Sequence, residues 1–253
     1  MFKFNDFHGK TILTSSLIED KKEVTAFFTT RDLSLKDGGQ EDMTNFVEES
    51  KKFICEKLNI PLKNLIIPVQ THSDNIGIIT SIEETFDNTD ALITNIPNIA
   101  IGLNFADCVP IIFYDESKKV VACAHAGWRG TVQQIGIKTV QKMIERYNSK
   151  PEDIIALIGA SIGKCCFEVK EDVMEKIKNS IPQKFHTEEV FSDNKVDLKL
   201  VNKIQLSNFG IKKIDVCENC TSCSNDLFYS YRKENGKCAR HSAIIMLKEN
   251  KWT

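Results

Sequence analysis

Three residues stand out by type and position: His72, Cys108 and His125, each where an apolar strand runs out. His72 follows IIPVQT, Cys108 follows IGLNFAD, and His125 follows VVACA. Two imidazoles and one thiolate make a three-ligand set that Zn²⁺ accepts. The fourth tetrahedral position is then left for water or substrate, as in a catalytic rather than a structural site. The same residues satisfied by backbone in a core would do no chemistry. Alternatively, Cys108 and His125 could be the nucleophile and base of a cysteine hydrolase, with Asp107 adjacent. A metal-bound thiolate is a weakened nucleophile, so metal content separates these readings.

The stretch from Val120 to Thr131, VVACAHAGWRGT, adds an anion site. Gly127 and Gly130 permit close approach of a ligand, Trp128 offers a flat stacking face, and Arg129 offers a planar fork. Thr131 and Gln134 read as a capping box opening a helix through Tyr147, whose first amides face Arg129. Phosphate placed there would gain from both the guanidinium and the helix N-terminus. The plain alternative is an ordinary strand-to-helix turn with a surface arginine.

The elements that must hold these residues alternate between strand and helix. Strands are expected at 24–30, 65–70, 76–80, 90–94, 99–105, 111–114, 120–124, 154–158 and 242–247, and helices at 43–58, 131–147, 170–179 and 198–209. DLSLKDGGQED and the polar stretch 180–196 read as loops, the latter with a short strand. Short strand-to-strand steps interrupt the helix alternation. This predicts an α/β (α+β) fold of mixed β-sheets sandwiched by helices, as one domain over residues 1–253.

Composition narrows the partners. With 33 basic and 35 acidic residues and a net charge of −2, nothing calls for nucleic acid or an anionic membrane, and a small-molecule substrate is expected. The N-terminus MFKFNDFHGK has no signal-peptide core and no apolar run reaches membrane-span length, so a cytoplasmic protein is expected. The sequence leaves oligomeric state open.

Nine thinly spread cysteines suggest thiols or metal ligands rather than disulfides. Cys217, Cys220 and Cys223, with Cys238 downstream, could hold structural zinc or an iron–sulfur cluster and make the chain an interaction module. The expectation is that these four form no obligatory metal site, and that Cys165 and Cys166 pack as small hydrophobes. His186 and His241 lack any supporting pattern and are expected in solvent. A four-copper oxidase centre needs roughly ten histidines. This chain has five and no His-x-His pair, so copper chemistry is confined to a side oxidation of phenols should Cu²⁺ displace zinc.

The segments PVQTH, ADCVPIIFYD, AHAGWRGT, IGASIGKCCFEV and FYSYRKENGKCAR resemble, in this order, the signature segments of the YfiH/YlmD family, historically called laccase-domain or polyphenol-oxidase-like proteins. With the Thr30-Arg31 step, the resemblance runs from residue 30 to near the C-terminus. It implies a zinc site on His72, Cys108 and His125 and a mixed α/β sandwich. It also implies phosphorolysis of purine nucleosides, among them adenosine, inosine and methylthioadenosine, with adenosine deamination beside it. Arg31 and Arg232 lie in matched segments as anion or structural candidates, and Asp107 as a residue that could orient a ligating histidine. The chain departs from the family pattern at DLSLKDGG after Arg31, at Ala160 where proline is usual, and at Cys238-Ala239-Arg240, where Thr-Gly-Arg is common. None of these departures touches the three expected ligands.

Overall fold

Two six-stranded sheets lie face to face, and helices cover the outer side of each. The computed structural model describes residues 1–183 and 188–249. In chain order the elements are β1 (Phe2–Asp6), β2 (Thr11–Ser15), β3 (Val24–Thr29), α1 (Thr44–Leu58), β4 (Leu65–Ile66), β5 (Ile76–Ile78), β6 (Ala91–Thr94), β7 (Ala100–Phe105), β8 (Val109–Asp115) and β9 (Val120–Ala126). There follow α2 (Trp128–Val132), α3 (Ile135–Tyr147), β10 (Ile154–Ile158), α4 (Glu171–Ser180), β11 (Phe191–Ser192), β12 (Lys195–Val196), α5 (Leu198–Phe209), β13 (Lys213–Val216) and β14 (His241–Leu247). The first sheet runs β1-β2-β3-β14-β7-β4 and the second β13-β10-β8-β9-β6-β5. Both are mixed: β4 is parallel to β7, and β5 to β6, within otherwise mainly antiparallel ladders.

Strand periodicity builds the layers. Along β14, Ala243 and Ile245 point between the sheets, while Ile244 and Met246 point outward onto Ile54 and Cys55 of α1. Across the inter-sheet core, Phe28, Leu103 and Phe105 meet Leu92, Ile112 and Cys123 of the second sheet. The outer face of that sheet, with Ile111, Phe113 and Ala122, is covered by Val140 and Met143 of α3 and Val201 and Leu206 of α5. Strands β7, β8 and β9 are buried along their whole length, which is why they read as unbroken apolar runs. Each such large side chain contributes about 1.5–3 kcal/mol on burial, and this packing holds the strand ends that carry the site.

The structure bears out the expected class of mixed sheets sandwiched by helices and corrects details. The helix expected over 131–147 is two helices, α2 and α3, because Gln134 takes the left-handed conformation (φ 60°) between them. There is no capping box. Thr131 is buried within α2, where its hydroxyl donates to Ala126 O and accepts from Asn202 Nδ2 at 2.9 Å. The Gln134 side chain turns to Ser180 O instead. Contacts supplied by α4 and α5 outweigh the local capping pattern. The strand expected over 65–70 pairs only at Leu65–Ile66, and the hairpin β1–β2 lies outside the expected elements. None of the described helices is long and apolar enough to cross a membrane.

Candidate active site

A buried carboxylate organises the site. Asp90 sits immediately before β6 and is fully enclosed. Its Oδ1 accepts the His72 amide at 3.1 Å and lies 2.7 Å from His125 Nδ1. Its Oδ2 accepts the Thr71 amide at 3.1 Å and the Ser73 amide and hydroxyl at 2.7 Å each. This ring of donors holds the His72 backbone in the left-handed region (φ 63°), uncommon for a residue other than glycine. His125 does not leave the sheet, as the sequence suggests, but is the penultimate residue of β9, opposite Pro110 of β8. Its own amide donates to Asp90 O at 2.8 Å.

Cys108 lies in the short connection between β7 and β8, after Asp107 in the left-handed region (φ 83°). Its Sγ is 3.7 Å from His72 Nε2, and donor atoms of His72, Cys108 and His125 all lie within 4.8 Å of one another. The two imidazole rings meet edge-on, 4.7 Å between centroids. Gly127 is what allows this crowding, since a Cβ there would stand 2.9 Å from Cys108 Sγ and 3.1 Å from His72 Cδ2.

Electrostatics reinforce the geometry. Burial opposes the charge on Asp90, yet hydrogen bonds from His125 and Ser73 outweigh it and hold the carboxyl well below the usual range. Burial likewise opposes ionisation of Cys108, but the charge and hydrogen bonds of His125, with those of His72, bring the thiol down to about 6. Against its own desolvation, His125 is pushed up to about 9 by the Cys108 charge and by Asp90. The pocket therefore favours a thiolate. Because Asp90 occupies Nδ1 of His125, Nε2 is the ring nitrogen left to face Cys108 and the site. Two imidazoles and a deprotonated sulfur so arranged fit a bound metal ion, with Asp90 as the outer carboxylate that fixes ring and tautomer.

These residues form one wall of a cavity of about 480 Å³. Trp128, Phe167 and Tyr231 give it aromatic faces, while Lys36, Arg232 and Arg240 give it cations. Gln70 and Asn104 brace one side, the Gln70 amide donating to Asn104 O at 2.9 Å and accepting from Asn104 N at 2.8 Å.

Among the other sequence candidates, Trp128 lines the cavity, with the Arg129 guanidinium stacked 4.4 Å from its ring centroid. Arg129 itself is exposed and does not line the cavity, and the helix it lies in is only the five-residue α2. Arg31 is also outside the lining. Its guanidinium pairs with Glu234 at 2.5 Å, donates to Asn225 O and covers the Tyr229 ring. Asp107 lines the cavity, but its carboxylate accepts the Thr221 hydroxyl (2.6 Å) and the Arg232 amide (2.7 Å) rather than a histidine. Asp90 does the work expected of it. The sequence reading also missed Lys36, Gln70, Asn104, Phe167 and Tyr231. Gln70, Phe167 and Tyr231 carried a signal, lying in matched segments, whereas Lys36 and Asn104 carried none.

Two further expectations are corrected. His241 is buried, its ring stacked toward Phe105 and edge-on to Phe228. Cys165 and Cys166 are not packed as core hydrophobes: Cys165 is exposed and Cys166 half-buried. His186 lies outside the described residues.

Comparison with known proteins finds that residues 24–248 match the family described as multi-copper polyphenol oxidoreductase laccase. The chain is 31% identical to "Purine nucleoside phosphorylase YlmD" of Bacillus subtilis (strain 168), covering 97% of this chain and 99% of that one. It is 32% identical to "Adenosine deaminase RL5" from an unknown prokaryotic organism, over 74% of this chain and 76% of that one. In structure it resembles the Bacillus licheniformis protein YfiH, with a TM-score of 0.85, 33% identity, and 97% and 99% of the two chains covered.

Proposed function

The chain belongs to the multi-copper polyphenol oxidoreductase laccase family, that of the YfiH and YlmD proteins, and on that footing we propose that it is a zinc-dependent purine nucleoside phosphorylase. Its substrates are adenosine, inosine and methylthioadenosine with phosphate, and its products the free base and the ribose 1-phosphate or methylthioribose 1-phosphate. The observation that carries this reading is the convergence of His72, Cys108 and His125 on one wall of a cavity that is otherwise aromatic and cationic.

In this reading His72, Cys108 and His125 hold the zinc, which supplies Lewis acidity at that wall when bound. Asp90 keeps His125 in the tautomer that leaves Nε2 to face the site. Lys36, Arg232 and Arg240 draw phosphate into the cavity, the role that the sequence reading gave to Arg129. One phosphate oxygen forms a bond to the ribosyl C1′ as the C1′–N9 bond breaks, and the electron pair leaves with the purine. The cations then hold the phosphate in line for that displacement. Trp128 and Phe167 offer faces on which the base stacks. The test is incubation of purified protein with inosine, with and without phosphate. Phosphate-dependent release of hypoxanthine and ribose 1-phosphate is expected, and phosphate-independent release of base would make the protein a hydrolase instead.

Deamination of adenosine in the same cavity is the second reading, favoured by the relative named adenosine deaminase. It is scored by conversion of adenosine to inosine without phosphate. The thiolate and imidazolium of Cys108 and His125 would also suit a cysteine hydrolase. Activity that survives metal removal and is killed by thiol alkylation would establish that chemistry and displace the zinc reading.

A further inference from the structure

A second group of metal-ligating side chains lies outside the cavity wall. Cys165 and Cys166, from the turn after Gly163, meet Cys220 and Cys223 from the segment after β13, and the four Sγ atoms all lie within 4.8 Å of one another. Cys223 Sγ is 3.5 Å from both Cys165 Sγ and Cys166 Sγ. This is a different set from the one the sequence spacing suggested. Cys217 and Cys238 are buried elsewhere, Cys217 next to Asn219 and Cys238 beside Arg240.

We propose that Cys165, Cys166, Cys220 and Cys223 form a second, structural zinc site, a four-thiolate centre that ties the 163–167 turn to the C-terminal segment. Four sulfurs at about 2.3 Å from a tetrahedral zinc stand roughly 3.8 Å apart, and the sulfur separations here bracket that spacing. A cluster of two or four irons would spread its thiolates wider. A disulfide needs two sulfurs at about 2.0 Å, whereas all nine cysteines are free thiols.

Backbone detail supports a thiolate at Cys220. The Gly163 amide donates to its Sγ at 3.1 Å, and a Cβ on Gly163 would stand 3.1 Å from Cys220 Cβ and 3.3 Å from Cys165 Sγ, so glycine permits the approach. The amides of Ser222 and Cys223 also turn toward that sulfur, as in the C-x-x-C loops that wrap a metal. The turn over 164–166, closed by the Phe167 amide on Gly163 O, brings two adjacent cysteines onto the same sulfur of Cys223.

The placement gives the centre a purpose. Thr221, between two of its cysteines, pairs with Ser161 through its amide and with the Asp107 carboxylate through its hydroxyl. Arg232 donates to Cys166 O and Glu168 O while its amide binds Asp107. Asp107 precedes Cys108, and Arg232 and Phe167 line the cavity. A metal at the four thiolates would therefore brace the part of the cavity lining formed by Asp107, Phe167 and Arg232.

The experiment uses the full chain carrying His72→Ala, which weakens zinc at the cavity wall without touching the four cysteines. Metal analysis is expected to fall from about two zinc ions per chain in the unaltered protein to about one, and X-ray absorption on the variant should show zinc surrounded by four sulfurs at about 2.3 Å. Adding Cys220→Ser should remove that remaining ion. If this variant does not fold, Cys223→Ser, at an exposed position, serves in its place. Zinc loading of the unaltered chain should also shield five of the nine thiols from a thiol reagent, Cys108 and the four of this centre. A His72→Ala protein without a four-sulfur zinc, or a Cys165–Cys223 or Cys166–Cys223 disulfide in zinc-exposed protein, would overturn the proposal.

Discussion

The Asp90 carboxylate stands 2.7 Å from His125 Nδ1 and, from the same buried position, accepts the backbone amides of Thr71, His72 and Ser73. One anion thus fixes the ring of one candidate ligand and the loop of another. Asp90→Asn keeps the shape but replaces one acceptor oxygen with an N–H donor and removes the charge facing His125. The expected result is a loss of about 10–100-fold in zinc affinity, with activity falling alongside. Competition against a metal-buffering chelator measures it, and an unchanged affinity would strip Asp90 of this role.

Gly127 gives a separation of site from fold. Its φ of −61° is open to any residue, so Gly127→Ala costs the backbone nothing. The added methyl instead meets Cys108 Sγ at 2.9 Å and His72 Cδ2 at 3.1 Å. Metal content and phosphorolysis should therefore drop by at least about tenfold, while the thermal midpoint moves by only a few degrees. A variant that keeps full zinc and full activity would mean that the three donors never close on an ion together.

Lys36 and Arg129 make opposite predictions. Lys36 is exposed at the cavity and its carbonyl accepts the Arg240 amide at 3.0 Å, which sets the two cations side by side. Arg129 is spent on the face of Trp128. Lys36→Ala should raise the KM for phosphate by about tenfold, equivalent to about 1.4 kcal/mol, with adenosine deamination little changed. Arg129→Ala should leave both reactions near their original rates. Initial rates over a phosphate series decide between the two residues, and a phosphate defect confined to Arg129→Ala would return the anion site to the start of α2.

What could be read in advance was whatever local sequence controls. The apolar runs of β7 and β9 mark strands buried on both faces, and Cys108 and His125 are visible beside or within them. Asp90 was not legible, because it acts on His72 and His125 from 18 and 35 residues away and looks locally like a polar residue before a strand. Arg31 and Asp107 have the charge of site residues, but Glu234 and Thr221, far along the chain, claim them. The grouping of the cysteines was hidden for the same reason. Cys220 and Cys223 find their partners in Cys165 and Cys166 rather than in their sequence neighbours Cys217 and Cys238.

His241 carries the last prediction. It opens β14 opposite Phe105, and its ring packs against Phe105 and Phe228 with no hydrogen-bond partner on either nitrogen among the described residues. Burial is the main force that holds it neutral. The Ala160 backbone pulls weakly the other way, and Arg240 and Arg31 add repulsion, so its pKa drops from 6.5 to about 3. Above pH 6.5 the imidazole is neutral in both folded and unfolded chains and costs nothing by titration. Between 6.5 and about 3 only the unfolded chain takes up the proton, so stability falls as the pH falls, by up to several kcal/mol across that window. His241→Leu, of similar volume, removes the group that titrates. Near pH 8 it should change stability by less than about 1.5 kcal/mol, whereas between pH 6 and 4 it should be progressively more stable than the parent. Urea midpoints for both proteins at pH 8, 6, 5 and 4 measure this difference, which cancels the contribution of Asp90 and the other carboxylates. Parallel loss of stability in the two proteins would mean that His241 accepts its proton inside the fold.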